Sequence, residues 1–566
     1  MSRRARTEAT TEVVERQGLR KSMAWLHTWC GLWFSWLLFA VFLTGTLAVF
    51  AEPITHWMTP EHHAEEEREA EELARAPKVA EIPRGERLAR ASAFMAEHHA
   101  AQDMWEIWPS DATGGGRLSA YWFDENRLYA QALLDPATGA ALPPPPREIP
   151  VRGTTGGQHF VEFHFNLHGG TLGLWVVAIA AMTMLVALVS GVITHRRIFK
   201  DFFTFRTGKG QRSWLDAHNA VAVLSLPFQF MIAYTGIVFT ATNYLPTGVV
   251  AHYGAGEQGR ARYVSDLQSA QPHARTGLPM AVPELEPFAA RAEALMGQPV
   301  RAVVVDHPGD AGMRIGVYGW NDPKALERHM SAASAMVEFL PGGEVLRVRR
   351  PGGSESGAPN FLSAVMGNLH MAGMGGWVVK WFFFLCGLAG TAMMATGAVL
   401  FVVKRRAKSL GEFGVRTPQV YRAIEGLNTA AIAGLGMACA AYFWANRLVP
   451  LSIEARAGWE IRVFFAVWML SLVHALWRSP ARAWVEQLGA LAALCLLLPV
   501  LNFLTTGDQV AAQIAHGDWE SAGVEIVALV FGALAAFAAL VCHRRKVSPP
   551  VGAARRRRRA AVEEAA

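Results

Sequence analysis

Long apolar stretches set the pattern of this chain. Eight runs are free, or nearly free, of Asp, Glu, Lys and Arg: 24–51, 169–194, 218–242 and 375–403, then a closer-spaced set at 424–444, 463–477, 488–504 and 524–541. A bilayer core takes about 20 apolar residues of helix, so these runs predict eight membrane spans. The first is much longer than the apolar core of a signal peptide, which runs to about 15 residues, and reads as an uncleaved anchor. Lys and Arg gather in 1–23, 195–213, 404–423, at Arg478 and Arg482, and after Val541. With eight spans all five clusters lie on one side of the membrane. Positive flanks stay in the cytoplasm, so both termini are expected there, with the large segments outside, in the periplasm of a bacterial inner membrane.

The expected division is a cytoplasmic N-terminus 1–23, a first span 24–51, an outer segment 52–163, a second span 164–195 and a loop 196–213. A third span 214–243, a second outer segment 244–360 and a fourth span 361–403 follow. A loop 404–423, a four-helix membrane domain 424–542 and a basic tail 543–566 complete the chain. Each outer segment reads as a small α+β unit. The first has a helix-like stretch 83–101, extended runs at 105–108, 118–123 and 127–134, and a turn signal at Asp135-Pro136-Ala137-Thr138-Gly139. The second has a helix-like 287–296, extended runs at 300–305, 313–318 and 336–340, the turn Pro341-Gly342-Gly343, and a last run at 345–348. Residues 143–146 are four prolines, a stiff linker back to the membrane. The fold class is therefore mainly α, polytopic, with two outer α+β domains.

Composition narrows the chemistry. Only 18% of residues are charged, against about 25% in soluble proteins. The net charge of +6 sits beside apolar runs, where it orients spans, so no nucleic-acid partner is implied. The arginines at 555–559 read as a tail that fixes topology and touches anionic membrane lipid. The five cysteines all lie in or beside apolar runs, without a CxxC spacing, and imply neither disulfides nor a zinc site.

The chain repeats itself. Asn166-Leu167-His168-Gly169-Gly170-Thr171-Leu172-Gly173-Leu174-Trp175-Val176-Val177 returns 202 residues later as Asn368-Leu369-His370-Met371-Ala372-Gly373-Met374-Gly375-Gly376-Trp377-Val378-Val379, with seven of twelve positions identical. His27 precedes Thr44-Gly45 by the interval at which His218 precedes Thr235-Gly236. Each pair of spans thus reads as one unit used twice. Both copies begin in the cytoplasm, which makes the repeat parallel, with its twofold axis along the membrane normal.

An ionisable group at a membrane span is costly unless it has a partner or a role. His27 and His218 are expected at the inner face, His168 and His370 at the outer. Neither layer offers the Cys or carboxylate that zinc would add. A haem needs one His from each side and lays its apolar edge between apolar helices, so two haems b are the expected cofactors. Glycines near these positions suit a flat macrocycle and close helix packing equally. From His168 to His195 there are 27 residues, about 40 Å of helix, which places the layers at opposite faces.

Other groups keep alternatives open. His195 either replaces His27 or His218 as a ligand, or contacts a haem propionate, or sits at the interface. His164, one turn before His168, approaches the outer haem edge or a substrate. Arg196, Arg197, Lys404 and Arg405 either neutralise inner propionates or simply anchor the loops. His62, His63, His98 and His99 read as a solvated helix face, with a weak periplasmic metal site as the alternative. His474, His516 and His543 have no symmetric partner and receive no role.

His27 with Thr44-Gly45, Leu167-His168-Gly169-Gly170, Gly191 through His195-Arg196-Arg197 to Phe202-Phe203-Thr204-Phe205-Arg206, Trp214-Leu215-Asp216-Ala217-His218, and Asn368-Leu369-His370 resemble the PepSY-associated transmembrane proteins. The resemblance covers roughly residues 20–406. It implies a four-helix haem-bearing core with PepSY-like outer domains, in bacterial inner-membrane proteins found with iron-siderophore uptake, including haem-containing siderophore reductases. On that basis the expected function is haem-dependent transmembrane reduction of a ferric siderophore or other ferric chelate. No GxGxxG follows a strand and opens a helix, so the donor would be quinol or a separate reductase. Two rivals remain: a transporter for iron or siderophore, and a periplasmic binding or signalling scaffold without redox activity. The four C-terminal spans depart from the minimal form and leave open a subunit contact or a quinone site.

Overall fold

The computed structural model describes residues 3–61, 82–110, 117–124, 129–142, 152–195, 211–244, 246–267, 274–320, 334–350, 358–406 and 413–547. His62, His63, residues 143–146, Arg196, Arg197, residues 202–206 and residues 555–559 lie outside them, as does the side chain of Lys404. In chain order the elements used below begin with α1 (Arg3–Ala48), α2 (Ala51–Met58) and α3 (Arg84–His98), followed by β1 (Met104–Trp108), β2 (Leu118–Phe123) and β3 (Tyr129–Leu134). Then come α4 (Gln158–Asn166), α5 (Gly170–Thr194), α6 (Gln211–Phe239), α7 (Glu286–Met296), β4 (Val300–Asp306), β5 (Arg314–Gly319), β6 (Met336–Phe339) and β7 (Val345–Arg349). The remainder is helical: α8 (Ala358–Met371), α9 (Gly376–Arg406), α10 (Thr417–Thr429), α11 (Leu435–Leu448), α12 (Arg456–Trp477), α13 (Pro480–Leu496), α14 (Leu498–Thr506), α15 (Val510–His516) and α16 (Trp519–Val547).

Among the described residues eight helical stretches are long and apolar enough to cross a membrane: Gly18–Ala48, Gly170–Thr194, Gln211–Phe239, Gly376–Val403, Gly414–Leu448, Arg456–Trp477, Pro480–Thr506 and Trp519–Arg544. The protein is a mainly helical, polytopic membrane protein. The chain divides into two compact units. One is Met1–Ala70, Ile149–Tyr234 and Trp381–Ala566, and the other Glu71–Glu148 and Thr235–Lys380.

In the first unit, α1, α5, α6 and α9 share an apolar core of Leu38, Ala180, Met184, Leu188, Ala233 and Met393, flanked by Phe34, Phe42, Leu226 and Met394. The C-terminal spans pack around Gly414–Leu448, the most enclosed of the eight. α10 runs into α11 through a single π turn, Ala430–Gly434, where Gly434 lets Ser471 of α12 come against the backbone. A proline at the start of α14 separates it from α13, as expected of a residue that cannot continue the hydrogen-bond ladder.

The second unit is built on one antiparallel sheet in the order β3-β2-β1-β4-β5-β6-β7. The expected helix-and-hairpin elements are present, but they do not form two separate domains. β1 pairs with β4, Trp105 opposite Val305 and Ile107 opposite Val303, so the sheet runs continuously from one half into the other. Unpaired, β1 and β4 would each expose a strand edge. Strand alternation sends Trp105, Ile107, Leu118, Ala120, Val303, Val305, Ile315 and Val317 into a single core, against Leu88, Ala91 and Met95 of α3 and Phe288, Ala289, Ala292 and Met296 of α7. Arg84 at the start of α3 forks onto Glu286 of α7 and also reaches Glu293, both at 2.7 Å. These carboxylates hold its guanidinium well above the usual arginine range.

A shared core makes a testable claim. Ile107→Ala should cost about 2–5 kcal/mol and speed amide exchange in β5 of the second half as well as in β2 of the first. Faster exchange confined to 118–134 would mean that the halves are independent.

Candidate functional site

The inner layer is built from two imidazoles on separate helices. His27 of α1 donates Nδ1–H to the Ala187 carbonyl of α5 at 2.8 Å. His218 of α6 donates to the Met393 carbonyl of α9 at 3.1 Å, with Thr396 Oγ1 at 3.3 Å. A carbonyl only accepts, so both rings carry hydrogen on Nδ1, which puts the lone pair on Nε2. The two ring centres are 6.5 Å apart and inclined at 59°. Two imidazoles on opposite faces of one metal need about 6 Å between ring centres, at about 2 Å per metal–nitrogen bond. The pair therefore fits axial ligation of one iron, with the remote nitrogen fixed by a backbone carbonyl as a metal-ligating His requires.

Glycine makes these bonds possible. A Cβ on Gly191 would come 3.0 Å from the His27 ring, and one on Gly397 would come 3.2 Å from that of His218. Gly191 stands four residues after Ala187, and Gly397 four after Met393. In a helix the side chain at i+4 overhangs the carbonyl at i, so its removal opens that carbonyl's second lone pair to the neighbouring ring.

The same device recurs at the other end of α1. His164, in the last turn of α4, donates Nδ1–H to the Val41 carbonyl at 2.8 Å, and its ring lies where a Cβ on Gly45 would come within 2.5 Å. Gly45 again follows the accepting residue by four. In the second unit His370, in the last turn of α8, lies over Gly236, where a Cβ would come within 2.7 Å, with Nδ1 at 3.3 Å from Thr235 Oγ1. Within α1, His27 and Gly45 are 18 residues apart, about 27 Å of rise, which separates the two histidine layers by less than the 40 Å expected.

These contacts reset the repeat. His27 to Gly45 and His218 to Gly236 are both 18 residues, while His164 to Gly191 and His370 to Gly397 are both 27. His164, not His168, therefore has the setting of His370. The Asn-Leu-His match pairs positions on different sides of a helix break. In the first copy Leu167 and His168 are themselves in the break, with φ of 56° and 53°, whereas the second copy stays helical to Met371 and breaks at Ala372, φ 54°. α5 and α9 restart at Gly170 and Gly376, 206 residues apart, the same offset as His164 to His370. The constant His-to-Gly intervals were the available signal.

His168 is held elsewhere. Its Nε2 lies 2.9 Å from His159 Nδ1 and its Nδ1 3.0 Å from Glu162. His159, which the sequence did not single out, is fully buried and stacks on His168 and on Tyr442, ring centres 4.9 and 4.4 Å away. His195 caps the end of α5, its amide on the Gly191 carbonyl at 3.0 Å, beside the inner layer. The Arg405 guanidinium lies 4.9 Å over each of the Trp29 and Phe401 rings. His98 stacks on Phe94 and His99 on Trp122. Among the described residues no three His, Cys, Asp or Glu side chains gather to hold a bare metal ion.

The PepSY-associated TM region matches residues 24–404 of this chain. The chain belongs to that family. The match thus runs from α1 into α9 and stops before the four C-terminal spans. No curated protein matches the chain.

Burial first, and the neighbouring His168 second, push His159 down to about 3 from 6.5. Between those values the unfolded chain binds a proton that the folded one does not, so stability falls as the pH drops through this window. The thermal midpoint of His159→Phe should accordingly fall less than that of the unaltered protein between about pH 7 and pH 4, in tryptophan-fluorescence melts. Equal falls would remove His159 from this role.

Proposed function

We propose that this PepSY-associated protein is a di-haem b oxidoreductase of a bacterial inner membrane, passing electrons outward to reduce a ferric siderophore or other ferric chelate. The observation that carries the reading is the His27–His218 pair: ring centres 6.5 Å apart, each ring bonded through Nδ1 to a helix carbonyl. The inner haem takes these two residues. His164 and His370 have equivalent settings, each within its own unit, and each is a candidate ligand for a second haem. When bound, haem would supply one-electron chemistry.

The chain's own part is ligation and orientation. The Ala187, Met393 and Val41 carbonyls hold Nδ1–H and direct Nε2 away from the neighbouring helix. They also raise ligand basicity, which favours the ferric form. Arg405, 4.9 Å over the ring of Trp29, two residues past His27, is suited to an inner propionate. Electrons enter from quinol or a separate reductase on the cytoplasmic side, where both termini lie in this reading. Reduction of a ferric chelate weakens its hard-oxygen ligation, so iron is released with the chelator intact.

Optical spectra of the purified protein, oxidised and dithionite-reduced, test the proposal. About two b-type haems per chain are expected, with about one lost in His218→Ala and about one in His164→Ala, while His168→Ala keeps both. Absence of haem after haem-sufficient expression would overturn the function. Loss of the outer haem in His168→Ala but not in His164→Ala would overturn the ligand assignment alone.

Rapid mixing of the reduced protein with a ferric chelate supplies the kinetic check. Reoxidation should slow by about tenfold or more in His164→Ala, because the outer step then lacks its fixed ligand. An unchanged rate would place reduction of the chelate elsewhere.

A further inference from the structure

The family match ends at residue 404, yet the helices beyond it enclose α4. We infer that the C-terminal membrane domain is the positioning wall of the outer haem, fixing α4 and through it His164; this rests on the proposed function. The segment leading into α4 is bonded to α11 and α12 residue by residue. Thr154 Oγ1 donates to Glu460 at 2.5 Å, Arg456 donates to the Gly153 carbonyl at 3.2 Å, and Arg152 donates to the Asn446 carbonyl at 3.0 Å. Tyr442 donates its hydroxyl to the Gly156 carbonyl at 2.9 Å. Glu460 and Asn446 are fully buried and bonded to each other at 2.9 Å, and Glu460 also pairs with Arg456.

Packing then fixes the helix itself. Phe160 meets Tyr442 and Phe443, while Phe163 meets Phe464, Phe465 and Trp468, all with ring centres within 6.0 Å. On the other side Gly157 touches the α2 backbone so closely that a Cβ would lie 2.1 Å from the Ala51 carbonyl oxygen, and its amide donates to Thr55 Oγ1 at 2.9 Å. α4 has nine residues, too short to hold its own register in isolation. Its placement, and with it the reach of His164 to the Val41 carbonyl, depends on this enclosure. Tyr442, Glu460 and Arg456 are thus positioning residues that act through α4.

The test uses the full chain carrying Tyr442→Leu with Thr154→Val, and Tyr442→Phe as the mild variant. Hydrogen exchange across residues 158–166 should rise about tenfold or more, since the Tyr442–Gly156, Thr154–Glu460 and Gly156–Thr154 bonds are all lost, with a smaller rise in Tyr442→Phe. The outer haem should change its low-spin EPR signature or be lost, while the inner haem keeps its signature and serves as the folding control. Unchanged exchange in 158–166 overturns the inference whatever the haem content. Equal changes in both haems also overturn it, since that is general loosening. Haem missing from the unaltered protein would defeat the proposed function, and the exchange result would still decide whether these spans hold α4.

Discussion

An imidazole inside an apolar helix bundle has to place its N–H somewhere, and in this protein it does so on the backbone of the helix beside it. A helical carbonyl already accepts one bond from the amide four residues on, but it has two lone pairs. At Val41, Ala187 and Met393 the residue four further along is glycine, and the second lone pair is open to a ring. The bond, the tautomer and the close approach of the two helices are one device. It explains why the apolar match of α1 to α5 alone would not fix these rings: packing is tolerant of small rotations, whereas a bond of about 3 Å to one carbonyl is not.

That device also explains what was legible in the sequence. The eight spans follow from the apolar runs, and the outer strands from alternation and turn residues, because both patterns are local. His27 and His218 were identifiable because α1 and α6 are unbroken helices, so equal spacing from Thr-Gly means equal position in space. The second helix of each unit is interrupted, and there letter-for-letter similarity and spatial equivalence part company. Asn166-Leu167-His168 and Asn368-Leu369-His370 match as text, but Leu167 and His168 have left the helix while Leu369 and His370 have not. A helix break converts a shift of four residues into a different direction for every side chain after it. Only the His-to-Gly intervals along the chain, 18 and 27 residues in both copies, survive that conversion.

The outer sheet failed to be two domains for a related reason. Each half was read correctly as a helix with a few strands, but strand edges are satisfied by whichever edge is near, and the pattern within a strand does not say which. β1 carries the same alternation whether or not β4 lies beside it. What distinguishes the joined sheet is the single core beneath it, in which Trp105 and Ile107 share their layer with Val303 and Val305. Joining the halves removes two strand edges and pools two small cores into one.

The burial of His159 beside His168 bears on how the outer layer differs from the inner. The inner imidazoles bond to helices α5 and α9 of the four-helix core. The outer His164 stands on a nine-residue helix with a histidine pair at one end, and a wall of aromatic rings from α11 and α12 covers its flank. If both layers hold haem, their surroundings are unequal, and in an electron relay inequality gives direction, because potential follows ligand orientation, burial and nearby charge. The separation is consistent with such a relay. His27 and Gly45 lie 18 residues apart in one uninterrupted helix, about 27 Å by its rise, close to the roughly 30 Å of a bilayer core, and residues 28–44 between them contain no Asp, Glu, Lys or Arg.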